Sequence, residues 1–350
     1  MRIGIVGYGT GGSLFHLPYI QADPRWQIVG VVTRSAERRA LLACEAPGIT
    51  AYGSLEQLLA AGVDVVVLTT PAHTRRELVL QALAAGVHVV ADKPFAPDLA
   101  TARELRDAAR QSGKVLTVYH NRRWDTDLLT LREVIHSGEL GQVNRAHMVL
   151  DQDDPASLEP GPAGGLLRDL GSHVVDQMIS LFGPVAEVDA RLDHYETTAG
   201  VVDGAFSLGL HHCGGVYSTV SSSKISHSEQ RSLCAYGTQG YYSSQMSDVQ
   251  IDRVRAGERP AQAGTDWGME SPERWGEVRT AQGARRVPCV PGNYAQFYSE
   301  LYDAFSGAGA LPVTVDQALH TVAVLDAARH GARLGVRQRV ESEDANHSLG

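Results

Sequence analysis

The chain has 350 residues and a formal net charge of −9, a balance that argues against nucleic acid or an anionic membrane as a partner. A hydrophobic share of 43% and a charged share of 20% describe an ordinary globular protein with length for two domains. Its four cysteines (Cys44, Cys213, Cys234, Cys289) stand far apart with no Cys-x-x-Cys pair, so no metal is expected and a reduced setting is.

No signal-type apolar core precedes the first glycines and no stretch is long enough to cross a bilayer, so a cytoplasmic protein is expected. Ile3–Val6 is a short apolar run. Gly7-Tyr8-Gly9-Thr10-Gly11-Gly12 follows at once, and Leu14, Leu17 and Ile20 continue at helical spacing. Glycines at 7, 9 and 12 fit the dinucleotide fingerprint: a tight turn, close approach to a pyrophosphate, and close helix–strand packing. The next strand, Ile28–Val32, ends in Thr33-Arg34-Ser35. The acid that would bond a ribose 2′-hydroxyl is missing there. Arg34, helped by Ser35 and Arg38, suits a 2′-phosphate, so NADP(H) is expected over NAD(H).

Val63–Leu68 ends in Thr69-Thr70-Pro71, and a helix is predicted over Thr74–Ala85. Val87–Val90 runs into Asp92-Lys93-Pro94, before a helix over Leu99–Ser112 and a strand over Val115–Tyr119. Alternating strand–helix units of this length predict a doubly wound parallel sheet. Its carboxyl edge, where ligands sit in such sheets, collects Gly7–Gly12, Thr69–Pro71 and Asp92–Pro94. Lys93 taken alone reads equally well as a solvated strand end.

The polar and aromatic run His120–Asp125 marks the crossing into a second domain. A helix over Thr126–His136, a strand over Val143–Leu150 and a loop over Asp151–Gly165 follow. In Arg168–Phe182, Val174, Val175, Met178, Ile179 and Phe182 define a buried helical face. Asp169 and His173 lie four apart on one face, and Asp176 continues the stripe. A carboxylate and an imidazole so placed can act as acid and base, or as a base and its orienter. Spacing by itself reads more simply as an acid favoured at a helix N-terminus beside an ordinary histidine.

Beyond Gly183, alternation over Ala186–Leu192, Gly204–Leu210, Val216–Val220, Ser232–Tyr236 and Gly240–Ser243 predicts a mainly antiparallel sheet. The adjacent His211 and His212 would point to opposite faces of a strand, which favours structure over metal binding. Residues 251–291 are expected as loops and short hairpins, then helices over Tyr294–Ser306 and Val315–Leu334, and a disordered tail over 341–350. Leu208, Leu210, Val216 and Val220 offer apolar cover for an open sheet face, so a homodimer or homotetramer joined through it is expected.

Taken together, the N-terminal fingerprint, Thr70-Pro71, Asp92-Lys93-Pro94, and Asp169 with His173 resemble the Gfo/Idh/MocA oxidoreductases, over nearly the whole chain to about Gly335. Asp92-Lys93-Pro94 looks like that family's Glu-Lys-Pro motif with a shortened acid. His120–Asp125, Asp169–Gln177 and Pro291–Tyr294 are similar to its NADP-dependent scyllo-inositol dehydrogenase branch. The resemblance implies an α/β Rossmann domain with a doubly wound parallel sheet over residues 1–120. Residues 121–340 would form an α+β domain with a large, mainly antiparallel open sheet. It also implies a nicotinamide-dependent oxidoreductase acting on a CH–OH group of a sugar, cyclitol or related polyol, with Lys93, Asp169 and His173 as the catalytic group.

The expected cofactor contacts are Gly7, Tyr8, Gly9, Thr10, Gly11, Gly12, Thr33, Arg34, Ser35, Arg38, Thr69, Thr70, Pro71, His73, Asp92, Lys93 and Asn121. Asn121, Trp124, Asp151, Arg168 and Tyr294 are the expected substrate contacts. Ala72 and Arg75 stand where many relatives have Asn and His, and Arg168 stands where the inositol branch has an aromatic. The acidic loop Asp151–Gly165 also departs from that branch, so its substrate is not carried over. Two rival readings are a non-catalytic dinucleotide-sensing regulator and a C=N or C=C reductase. The intact Lys93, Asp169 and His173 favour turnover on an alcohol.

Overall fold

The apolar run near the N-terminus forms β1 (Arg2–Val6), with Ile3 and Ile5 fully buried. The computed structural model describes residues 1–161, 164–264 and 266–341 and gathers them into two compact units. Apart from Glu341, the expected tail lies outside the described residues. The first unit takes Met1–Asn121, Gln250–Trp267 and Asn293–Leu319. The second takes Arg122–Val249, Gly268–Gly292 and the chain from His320.

After β1 the glycines lead into a π-helical turn, Gly11–His16, and α1 (Leu17–Ile20). Pro18 has no N–H to give the Leu14 carbonyl and its ring would strike that group, so the turn ahead of it widens. β2 (Gln27–Val32), α2 (Ala36–Glu45), β3 (Thr50–Tyr52), α3 (Leu55–Ala60), β4 (Val65–Leu68), α4 (Ala72–Ala84), β5 (His88–Ala91), α5 (Leu99–Ser112) and β6 (Leu116–Val118) complete the alternation. All six strands are parallel in the order β3-β2-β1-β4-β5-β6, the doubly wound Rossmann arrangement. Every residue of β4 is buried, as a parallel strand covered on both faces requires. Helix ends follow local chemistry. Ser35 accepts from the Arg38 amide at the start of α2 (3.2 Å), and Asp98 accepts from the Thr101 amide at the start of α5 (2.7 Å).

The chain continues through α6 (Thr126–His136), β7 (Val143–Leu150), α7 (Leu166–Phe182), β8 (Val185–Thr197), β9 (Gly200–His212), β10 (Tyr217–Ser223), β11 (Arg231–Gly237), β12 (Gly240–Ser244), α8 (Val249–Arg255), β13 (Glu277–Thr280), β14 (Gly283–Arg286), α9 (Ala295–Phe305), α10 (Val315–Leu334) and β15 (Gln338–Arg339). The nine-stranded sheet runs β14-β13-β12-β11-β7-β10-β9-β8-β15, and β7 with β10 is its one parallel pair. α8 was not signalled, because seven residues with Ile251 and Val254 buried are too few to show a period.

One expectation is corrected here. Leu208, Leu210 and Val220 do not face outward: they are 0–1% exposed, on the face that packs against α7. Gly171 of α7 sits beside Phe206, and Phe206, Leu208 and Leu210 share one face of β9 by the strand period. The pairing of Val220 with Leu208 puts Val220 there too. The opposite face carries Ser207, His211, Tyr217, Thr219 and Ser221, a polar and aromatic surface. His211 and His212 do point apart. His211 meets Asp189 at 2.8 Å, and the buried His212 meets Ser218 Oγ at 2.8 Å.

Candidate active site

In the first unit the switch point between β1 and β4 is built from two glycines with different duties. Gly7 holds φ +105°, a backbone that favours glycine, and a Cβ on Gly12 would stand 2.3 Å from the Gly7 carbonyl oxygen. Gly9 differs: a Cβ there would meet only the Arg38 guanidinium, at 3.6 Å. Protein packing therefore does not require glycine at 9, whereas a pyrophosphate lying against the turn would. The residues fit a dinucleotide. Tyr8, between them, is buried, and its hydroxyl donates to Glu45 (2.8 Å), so it pins the turn to the end of α2. Burial, followed by that carboxylate, pushes the Tyr8 hydroxyl above its ordinary value and keeps it a donor.

At the end of β2, Thr33 is buried and its carbonyl accepts from Arg39 Nε at 3.0 Å, a contact the sequence reading did not name. Arg34 and Arg38 are exposed beside the capped start of α2. Thr69 Oγ1 donates to the Gly7 carbonyl at 3.0 Å, which ties the end of β4 to the fingerprint turn. Thr70 Oγ1 accepts from Thr74 Oγ1 at 2.9 Å, and Pro71 leads into α4 with His73 exposed in its first turn.

Asp92 and Lys93 follow β5, and the Lys93–Pro94 peptide is cis. Asp92 Oδ1 accepts from the Lys93 amide at 2.8 Å. Behind it, the buried His16 ring lies 3.6 Å from Asp92 Oδ2 and pairs through Nδ1 with the Tyr298 hydroxyl at 2.5 Å. Arg75 is 3% exposed and spans the edge by donating to the Thr70 carbonyl at 2.7 Å and to the Pro94 carbonyl. Burial alone would raise the Asp92 carboxyl. The His16 ring and the charges of Arg75 and Lys93 outweigh it and hold it below the usual carboxylate range. Thus the edge expected from the sequence is assembled, with His16 and Arg75 as supports that reading missed.

In the second unit, Asp169 lies in the first turn of α7 and His173 one turn on, the latter 6% exposed. Asp169 keeps 42% of its side chain exposed while Oδ2 accepts from the Lys224 ammonium at 3.0 Å. Asp176 turns instead to Arg123 in a two-pronged pair of 2.7 and 2.8 Å. The expected substrate residues fare unevenly. Arg168 is buried and pairs with Asp326 at 3.1 Å. Asp151 accepts from the Ser223 amide at 2.9 Å, and Trp124 is buried. Tyr294 and Asn121 belong to the first unit, where Tyr294 is fully buried beside Tyr19.

Residues 1–120 match the oxidoreductase family with an NAD-binding Rossmann fold, and residues 128–243 match the GFO/IDH/MocA C-terminal domain. The chain belongs to the Gfo/Idh/MocA oxidoreductase family. Its Gfo/Idh/MocA relatives include the uncharacterized oxidoreductase YdgJ of Escherichia coli (strain K12), 33% identical over 95% of this chain and 98% of that protein. A second is IolW of Bacillus subtilis (strain 168), a scyllo-inositol 2-dehydrogenase (NADP(+)), 29% identical over 95% and 94%. The solved structure of yvaA from Bacillus subtilis superposes with a TM-score of 0.90 at 29% identity, covering 97% of this chain and 98% of that one. Among the described residues no group of three or more His, Cys, Asp or Glu could hold a metal, and no helix is long and apolar enough to cross a membrane.

Proposed function

We propose that the protein is an NADP-dependent oxidoreductase that moves a hydride between the nicotinamide and a secondary alcohol or ketone of a sugar, cyclitol or related polyol. It works in the cytoplasm as a homodimer or homotetramer. The observation that carries the reading is Lys93, set at the carboxyl edge of the parallel sheet beside the fingerprint turn and braced by Asp92. The fit of that turn to a dinucleotide and the likeness to an NADP-dependent inositol dehydrogenase support it.

A nicotinamide held at the fingerprint turn by Gly7, Gly9 and Gly12 would supply the hydride acceptor for the carbinol carbon in the oxidising direction. His173 takes the hydroxyl proton as general base, and Lys93 binds the same oxygen as negative charge develops on it. Asp169 acts as the orienter of that base or as a proton partner. The guanidinium groups of Arg34 and Arg38 and the Ser35 hydroxyl hold the 2′-phosphate. The alcohol would leave as the ketone, with its hydroxyl proton on His173 and the electron pair carried by the hydride.

The test is NADPH formation over a panel of inositols, aldoses and amino sugars, with NAD as control. On the best substrate, His173→Ala should lower turnover by about 10²–10⁴-fold with NADPH affinity retained. Lys93→Ala should weaken both turnover and substrate binding. Full turnover by either variant would overturn the assignment.

A further inference from the structure

Only three of the chain's 31 basic residues are lysine, at 93, 114 and 224. Several cations withdrawn from solvent that pair with a carboxylate are arginines, as in Arg123–Asp176, Arg231–Asp127 and Arg168–Asp326. Lys224 breaks that habit. It is the first residue past β10, its side chain is 6% exposed, and its ammonium donates to Asp169 Oδ2 at 3.0 Å and to Ser157 Oγ at 2.8 Å. A buried ammonium is tolerated only with such partners. Lysine and arginine are not identical here, because the ammonium reaches a carboxylate oxygen and a hydroxyl from one compact nitrogen, where a guanidinium keeps the charge but must fit its planar fork to both.

The other charged groups at the start of α7 are engaged elsewhere. Asp203 accepts from the Leu167 amide at 2.7 Å and faces Arg329 at 3.5 Å, while Arg168 pairs with Asp326. His173 lies one turn along the helix, and Asp169 itself stays 42% exposed.

We propose that Lys224 is a positioning residue of the hydride-transfer site: it fixes Asp169 as an ionised acceptor and moors Ser157, in the stretch after β7, to the same carboxylate. This rests on Asp169 belonging to the catalytic group. An Asp169 so held accepts hydrogen bonds and does not donate them. The substrate proton then goes to His173, and ligands that present hydroxyl donors are favoured over carboxylates. The two roles that helical spacing left open for Asp169, orienter or proton partner, are thereby resolved in favour of the first.

With three lysines, the full chain labelled at lysine Cε gives three NMR resonances, assignable with Lys114→Arg and Lys224→Met. The Lys224 resonance should step in the acid range as Asp169 protonates, and the step should vanish in Asp169→Asn while the Lys114 resonance stays unchanged. A flat Lys224 resonance, or a step that survives in Asp169→Asn, overturns the pairing. This readout needs no substrate, so a chain that shows the coupling yet oxidises no polyol refutes the reaction and upholds the pairing. On the polyol turned over best, Lys224→Met should lower kcat/KM about tenfold or more and raise the acidic limb of the pH profile. Lys224→Arg should restore the limb. An unmoved limb in a Lys224→Met variant that still binds NADPH would reduce Lys224 to a structural part and refute its positioning role.

Discussion

Asp176 shares a helical stripe with Asp169 and His173, yet the structure gives it a different task, and Asp176→Asn measures it. The Asp176 and Arg123 side chains are 2% and 9% exposed, and both carboxylate oxygens are taken by the guanidinium. Burial alone would lower the Arg123 pKa; the Asp176 charge wins and holds it above its ordinary value. Asparagine keeps the volume and removes the charge, leaving a buried cation without its counter-ion. Breaking a buried pair from one side costs about 3–5 kcal/mol, against at most about 1 kcal/mol for an exposed pair such as Arg191–Asp193. At about 2–4 °C per kcal/mol for a unit of this size, the melting temperature of the second unit should fall by roughly 6–20 °C. Calorimetry reads the fall, and NADPH fluorescence titration well below the transition should show unchanged affinity. Replacing both partners, Arg123→Met with Asp176→Leu, should recover much of the loss, since no lone charge remains. A melting temperature within about 2 °C of wild type would refute the structural assignment.

Arg34→Ala should weaken NADP binding about tenfold or more while NAD binding changes little, and equal losses in titration would refute the 2′-phosphate reading. Asp92 has a carboxyl held below its usual range, so its contribution to stability is present above about pH 4 and is lost as pH falls through the folded value. Urea unfolding of Asp92→Asn should therefore show a deficit at pH 7 that shrinks on acidification, and a deficit that grows would count against the argument. Leu208→Ala, at a site 1% exposed against α7, should cost about 2–5 kcal/mol without changing the oligomeric mass in light scattering. Dissociation with no loss of stability would put that side chain back on an outer interface.

Local order was legible wherever several signals coincided. The helix expected over Leu99–Ser112 is α5 to the residue because Asp98 caps its start and Gly113 ends it at φ +66°. α6 and β7 likewise match their expected spans. β3 and α3 were not named: Thr50 and Ala51 are exposed, and three residues at a sheet edge carry no period. The faces of the second sheet show a different limit. Alternation reveals that Leu208 and Leu210 share a face, but not which face a helix will cover, since that is decided by where α7 packs.

The candidate site divides along the same line. Spacing placed Asp169 and His173 one helical turn apart, as α7 has them, and the family resemblance supplied their expected catalytic role. The groups that tune the site come from far along the chain: Lys224 lies 55 residues from Asp169, and Asp326 takes up Arg168 from 158 residues away. No local pattern encodes such contacts, and so the pairing of the buried Arg168 with Asp326 was not foreseen when Arg168 was read as a substrate contact. What the sequence does carry is a bias of residue type. A chain that supplies nearly all its cations as arginine places its few lysines where the compact ammonium has a use, with Lys93 at the sheet edge and Lys224 on the Asp169 carboxylate. Among the described residues Lys114, half-buried alongside Gly86 in the first unit, makes no ion pair with a carboxylate, which makes it the internal reference against which the other two are judged.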